Sequence, residues 1–451
     1  MHKEKMILVP QMLPIHFAII LNVLRDYGYK VEILNNEGPS VVHEGLMAVH
    51  NDTCYPALLT TGQMMDALKS GKYDVDNVAL LMTQTGGGCR ASNYVYLIRK
   101  ALKNMGMEQV PVLALNLSTL GRTGGFNLTM PMVRKLVIAA TYGDMLMHLS
   151  NQVKPYEVNK GEHKEVIDFW IQYLEDHKDK VYKKANMQKT LNDIVKSFAK
   201  IEIVKTDKTK VGIVGEIYIK FSALGNNHLE DFLAKEDCEV MLPTLLSFLM
   251  YCLSNAVEDV SLYGGSKLKQ EGSNFLLDYL INFEEMSINA IEKHSNFIPP
   301  SRFKEVHSSA EGIIGHGCKM GEGWVLTADM VDLIKSGYEN IVCAQPFGCL
   351  PNHVAGKGMI RKIKELYPTA NIVPIDYDPG ATKVNQENRI KLMLAIAREN
   401  KRPIAGSVPS EKIEGAVVNR PKVKRLKTTV VNAPTEPVTT ATAVSGGSSK
   451  Y

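Results

Sequence analysis

Apolar positions along the chain follow two spacings. Short unbroken apolar runs predict buried strands, and runs with a period near 3.6 predict helices. KMILVP (residues 5–10) is a short apolar run that ends at Pro10. PIHFAIILNVLRDYGY (14–29) has helical spacing and stops near Gly28. KVEIL (30–34), VDNVALLMT (75–83) and VPVLALNL (110–117) predict the next strands. The gaps between them suit crossover helices, so the pattern predicts a parallel sheet covered by helices. Residues 151–208 change character: Lys, Glu, Asp and Gln dominate, Gly and Pro are sparse, and the pattern predicts a helical connector exposed on one face. KVGIVGEIYI (210–219) then opens a second α/β unit, with later strands at EVMLP (239–243), NIVCAQ (340–345) and NIVPIDYD (371–378). Helices are predicted over 244–258, 273–295, 325–337 and 385–400.

The expected fold class is therefore α/β: two lobes, each with a mainly parallel sheet flanked by helices, joined by a helical segment. The N-terminal lobe covers 1–150, the connector 151–208 and the C-terminal lobe 209–403. From 404 to 451 Pro, Ser, Thr, Gly and Val prevail, and that composition predicts a disordered tail. No strong internal sequence repeat is visible. A two-lobe plan places a site in the cleft between the lobes.

Composition narrows the classes. The 451 residues are 45% apolar and 22% charged, ordinary values for a globular protein with no need of disulfides. A net charge of +4 does not argue for nucleic acid, and the basic run RPKVKRLK (420–427) fits a solvated linker. No signal peptide and no apolar stretch of membrane-spanning length is expected, so a cytoplasmic protein away from membranes is expected. In such a compartment the seven cysteines are not expected to pair. They can be buried filler, metal ligands or reactive thiols.

Three of them sit on Gly- or Pro-shaped segments. NDTCYP (51–56) puts Cys54 before a Tyr-Pro turn. TQTGGGCRASN (83–93) puts Cys89 after a strand and three glycines, at a helix start, where a thiol pKa is lowered. CAQPFGCLPNH (343–353) puts Cys349 on the loop after a strand. Gly86, Gly87 and Gly88 let backbone amides approach a bound group, either the sulfurs of an iron–sulfur cluster or a phosphate. The segment lacks the Lys-Ser/Thr of a P-loop and the dinucleotide fingerprint. Cys238 and Cys252 fit filler, Cys343 belongs inside its strand, and Cys318 in GHGCKMGEGW could support a bound group. Glu216, after the strand VGIV, and His353, four residues after Cys349, are candidate acid–base groups; Glu322 and His316 share the loop of Cys318. Asn385 and Arg389 fit bracing roles, whereas Arg90, Lys319 and Lys357 are cations that could meet phosphate groups.

At these residues the chain resembles a known family. NDTCYPALLTTGQ, GGGCRASNY, KVGIVGEIYIKFSALGNNHLEDFL, GHGCKMGEGWVLTADMV, VCAQPFGCLPNHVAGKG and IDYDPGATKVNQENRIKLML together resemble the 2-hydroxyacyl-CoA dehydratase superfamily, closest to the dehydratase-like region of CoA-substrate-specific enzyme activase proteins. The resemblance spans roughly residues 5–400. It implies a homodimeric or heterodimeric, oxygen-sensitive iron–sulfur protein, with a 4Fe-4S cluster or part of a double-cubane cluster held by Cys54, Cys89 and Cys349. It also implies an ATP-hydrolysing activator as partner, an acyl-CoA thioester as substrate and a ketyl radical that expels a poor leaving group. On that reading the chain is a lyase; the alternatives are a double-cubane reductase acting on small molecules and a non-catalytic scaffold or electron relay. The activator's ATPase domain is not expected in this chain, since STLGRTGGFN (118–127) is too little to supply its phosphate loops.

Overall fold

Among the described residues, eight strands form where the apolar runs predict them: β1 (Met6–Val9), β2 (Lys30–Ile33), β3 (Val78–Thr83), β4 (Val112–Leu115), β5 (Thr209–Gly215), β6 (Cys238–Met241), β7 (Asn340–Pro346) and β8 (Asn371–Tyr377). The structure, a computed structural model, describes residues 4–83, 88–115 and 128–400. The predicted tail at 404–451 and the segment 118–127 lie outside the described residues. The fold is α/β, with two four-stranded parallel sheets flanked by helices.

Both sheets have the same strand order in chain sense: β2-β1-β3-β4 and β6-β5-β7-β8. The chain therefore repeats a topology that its sequence does not advertise. The inner strands β3, β5 and β7 are buried almost throughout, as strands covered on both faces must be. Pro374, which lacks an N–H, lies in the edge strand β8, where a missing donor is tolerated.

The charged segment 151–208 folds into the amphipathic helices Glu162–Asp176 and Lys184–Ala199, with a short turn of helix between them. Their apolar faces, including Trp170, Leu174, Leu191, Ile194 and Phe198, enter a core shared with the helices Met130–Val153, Leu245–Tyr263 and Lys267–His294. At the head of Leu245–Tyr263, the buried Asp144 accepts the amides of Leu245 and Leu246 and pairs with Nε2 of His16 at 2.9 Å. This helix runs past the predicted end at 258 because nothing in EDVSLY breaks it before Gly264. It is also long and apolar enough to cross a membrane by length and composition, contrary to the sequence-based expectation. One side of it, including Leu246, Met250 and Tyr251, is buried in the shared core.

A second core joins helices and loops of the N-terminal half to the second sheet. Leu13, Tyr55 and Leu58 pack with Val211, Ile213, Tyr218 and Phe221. The Leu13 amide donates to the Phe221 carbonyl at 3.1 Å.

Two helices missed by sequence, Pro39–Ala48 and Tyr55–Lys69, pack at Gly45 and Gly62. A Cβ at Gly62 would lie 2.1 Å from the Val41 carbonyl oxygen and 2.7 Å from the Gly45 nitrogen. These backbone atoms cannot yield as a side chain would. This close approach fixes the loop between the helices, and Cys54 ends that loop. Gly62→Ala should therefore destabilise the protein by about 3 kcal/mol in urea unfolding. Gly272→Ala, at a helix position with open space around it, should be neutral or stabilising by up to about 1 kcal/mol. Equal midpoints for the two variants would show that the crossing is looser than described.

Candidate functional site

Ligands of open parallel sheets bind beyond the carboxyl ends of the strands, where the strand order reverses. The reversals fall between β1 and β3 and between β5 and β7. Glu216 is the residue after β5, and Cys349 follows β7 across a Phe-Gly turn. Cys89 lies beyond β3, past residues outside the description. Cys54 comes from the loop before the helix Tyr55–Lys69.

All three thiols stand at helical starts. Tyr55 and Pro56 do not form a turn, as the sequence suggested. They open the helix Tyr55–Lys69, with Cys54 as its N-cap; Pro is suited to a first helical turn because its missing N–H has no partner there anyway. Cys89 caps the short 3-10 turn Arg90–Asn93, which runs into the helix Tyr94–Asn104. Cys349 precedes the helical stretch that begins at Leu350, and its carbonyl accepts the His353 amide.

The segments bearing the thiols touch one another. A Cβ at Gly348 would be 3.8 Å from the Asp52 carbonyl oxygen. One at Gly88 would be 2.9 Å from Sδ of Met320, and one at Gly321 would be 3.1 Å from Pro351. The segment 318–322 thus lies against both the Cys89 and the Cys349 segments.

Glu322 is the tie within this group. It is buried, and its Oε1 accepts the Ile217 amide at 2.9 Å while its Oε2 accepts Nδ2 of Asn352 at 2.9 Å. Asn352 Nδ2 also lies 3.3 Å from Sγ of Cys349. Glu216 uses Oε2 to accept the Ile219 amide, capping the short helix that follows β5. Its place is forced by Gly215, whose Cβ would fall 1.8 Å from the Ala344 carbonyl oxygen. Opposite Cys54, the buried Tyr94 hydroxyl lies 3.3 Å from Sγ.

Electrostatics links the same residues. Burial pushes Cys54 up to about 11, with the charges of Glu216 and Cys89 adding to the rise. Burial also raises Cys89, helped by Glu322 and Glu216 and opposed by the amides of Ala91 and Ser92. Burial, then Glu322 and Glu216, raises Cys349 further still. The helix-start argument therefore fails for Cys89 in the ligand-free protein: desolvation and two acidic neighbours outweigh the amides. Burial and the neighbouring Glu322 raise Glu216, and burial raises Glu322. Buried Lys220 lies 4.0 Å from Asp329, and its charge favours ionisation of Glu216 and Glu322.

The remaining sequence candidates separate. Gly86 and Gly87 lie outside the described residues, and Gly88 faces Met320. Cys318 is half-buried, its carbonyl accepts the Trp324 amide at 2.6 Å, and burial alone raises its thiol. His353 is half-buried, with Nδ1 3.4 Å from Nε2 of Gln345 and its ring edge-on to Phe347. Cys343 is fully buried within β7. Arg389 donates to the Pro374 carbonyl in β8. Lys319 is paired with Asp259, and Lys357 lies 3.8 Å from Asp376. Among the described residues, the three thiols are not gathered as tightly as ligands of one metal ion.

No family model matches the chain, and no curated protein matches it. The arrangement must therefore be judged on its own chemistry. Sequence reasoning overlooked Tyr94 and Asn352. The signal for Asn352 was its place three residues after Cys349, neighbours on a helical surface.

What these groups can do follows from their signs. Three protonated thiols beside two acids form a poor phosphate cradle and a good cation-binding donor set. In the metal-free protein the raised Glu216 binds its proton more tightly folded than unfolded. Stability should therefore fall as pH rises from the ordinary 4.5 toward the raised value. Urea midpoints of the metal-free protein over about pH 5 to 8 should show this decline, and Glu216→Gln should lessen it, while Glu284 and Asp329, also raised by burial, keep their share. An identical slope in the variant would remove Glu216 as its source.

Proposed function

We propose that the chain is an iron–sulfur protein of the 2-hydroxyacyl-CoA dehydratase type, in which Cys54, Cys89 and Cys349 hold the cluster. The observation that carries this reading is that the segments bearing three distant thiols meet: Gly348 approaches Asp52, and the segment 318–322 lies against both the Cys89 and the Cys349 segments. The donor set fits: bound iron would reverse the local penalty, because a coordinating thiol is deprotonated outright by the metal charge. Three cysteine ligands would also leave one metal position open, as catalytic sites require.

When bound, such a cluster supplies one-electron chemistry at low potential; the protein orients and shields. The chain's own groups have distinct tasks. Tyr94 and Asn352 reach the sulfurs of Cys54 and Cys349 and can donate hydrogen bonds to them. Glu322 fixes Asn352 in that pose. Glu216, raised toward neutrality and half-buried, can hold a proton on its carboxyl group for a departing hydroxyl. His353, half-buried four residues after Cys349, is a second candidate donor. Exposed Phe347, Leu350 and Met320 supply apolar surface beside these loops, where an acyl chain can leave water. The proposed substrate is an acyl-CoA thioester, and the proposed electron source is an ATP-hydrolysing activator partner.

Anaerobic reconstitution with iron and sulfide should give a brown protein with roughly four irons per chain. Cys89→Ser and Cys349→Ser should each lower bound iron at least about twofold and speed bleaching in air, while Cys238→Ser should leave both unchanged. A colourless wild type, or full iron in both ligand variants, would overturn the proposal.

A further inference from the structure

A second group of ligating side chains lies outside the thiol neighbourhood. Glu258 comes from the helix Leu245–Tyr263, His307 from the helix Phe303–Ser309, and His316 from the loop before the helix Gly323–Lys335. One nitrogen of each imidazole and one oxygen of Glu258 all lie within 4.8 Å of one another, and all three residues are half-buried. Sequence drew attention to His316 alone; its partners are 58 and nine positions away, and only folding unites them.

The local geometry favours a metal ion. The two imidazoles stack, with centroids 3.8 Å apart and planes at 15°. Both stand edge-on to Trp324, at 5.0 and 4.8 Å, so a rigid indole braces the pair. His307 Nε2 faces Glu258 Oε1 at 3.5 Å, too far for a good hydrogen bond. His316 lies 3.1 Å by Nε2 from the His307 carbonyl oxygen. A carbonyl only accepts, so Nε2 carries the hydrogen and Nδ1 keeps its lone pair. Metal-binding histidines usually make such an outer contact, which fixes the tautomer and the ring orientation.

We propose that Glu258, His307 and His316 bind a divalent transition-metal ion, zinc foremost. Two imidazoles and one carboxylate form an established zinc donor set, with water as the fourth ligand. Zinc–ligand bonds of about 2 Å require the three side chains to close inward and the stacked rings to turn so that their lone pairs converge. The ion would clamp two helices to the loop of residues 311–322. That loop also carries Glu322, so the clamp would hold the tie between Ile217 and Asn352. This site uses residues other than those of the cluster proposed above and would stand if that proposal failed.

The test uses the full chain, stripped of metal under anaerobic conditions and titrated with zinc. Zinc also binds free thiols, so Cys89→Ser is included to separate the sites. Wild type and Cys89→Ser should share one zinc equivalent with the same affinity and the same rise in melting temperature. His307→Ala/His316→Ala should lose that equivalent. Glu258→Gln, which preserves shape, should bind it at least about tenfold more weakly and melt at the wild-type temperature without zinc. Cobalt(II) substitution should give a visible spectrum that disappears in the His double variant and persists in Cys89→Ser. Unchanged zinc affinity in Glu258→Gln together with an unchanged cobalt spectrum in the double variant would overturn the proposal, as would absence of that equivalent from the wild type.

Discussion

The buried carboxylate of Glu322 is the contact on which the candidate site depends. It accepts one backbone amide from the segment after β5 and one side-chain amide from the segment after β7. Hydrogen bonds to a charged group contribute roughly 1.5–3 kcal/mol each, and an unpaired buried carboxylate would cost more than that. Each partner therefore needs the other. Remove the acceptor, and Asn352 loses its anchor beside Cys349. Remove the donors, and an acid is left in a dry place. The arrangement is stable only when the ends of two strands and the Gly-rich loop meet, so it records their convergence.

The two sheets make that convergence possible. Each has its reversal of strand order between its first and third strands, and each therefore opens a crevice at the carboxyl ends. Glu216 and Cys349 flank the reversal in the second sheet, while Cys89 follows β3 at the reversal in the first. Cys54 joins from a helical pair locked by the close approach of Gly45 and Gly62. Acids, not bases, provide the named charges on these thiols. A phosphate would be repelled there, and a cationic centre would be drawn in. The two readings left open by three glycines before a helix thus differ in sign.

Much of the fold was legible because buried parallel strands are written as apolar runs. VALLMT, KVGIVG and NIVCAQ are such runs, and all three are strands. The helices Pro39–Ala48 and Tyr55–Lys69 escaped for physical reasons. Each begins with or near Pro and contains Gly, residues that mark turns when read locally. Here Pro occupies the first helical turn and Gly allows two backbones to meet. At the site, sequence named the cysteines and Glu216 from their positions near strand ends. It missed Tyr94 and Asn352 because a hydrogen bond to sulfur leaves no periodic signature. It also assigned Cys89 a lowered pKa from its helix start, a local effect; the opposing charges of Glu216 and Glu322 arrive from over a hundred residues away.

The His307–His316–Glu258 group and the thiol segments have one element in common, the loop of residues 311–322. On one side His316 stacks on His307, and on the other Met320 and Gly321 meet the Cys89 and Cys349 segments. Between them Trp324 contacts both imidazoles, and its amide donates to Cys318. Tyr251, packed on Trp324, lies within 2.9 Å of the Lys319 and Gly321 carbonyls. A ligand that orders this loop from either side reduces the conformational freedom that the other must remove. Under the two proposals, binding of the ion and binding of the cluster are then coupled, and each must strengthen the other by the same factor. The coupling needs no movement of the sheets, because the loop alone is shared.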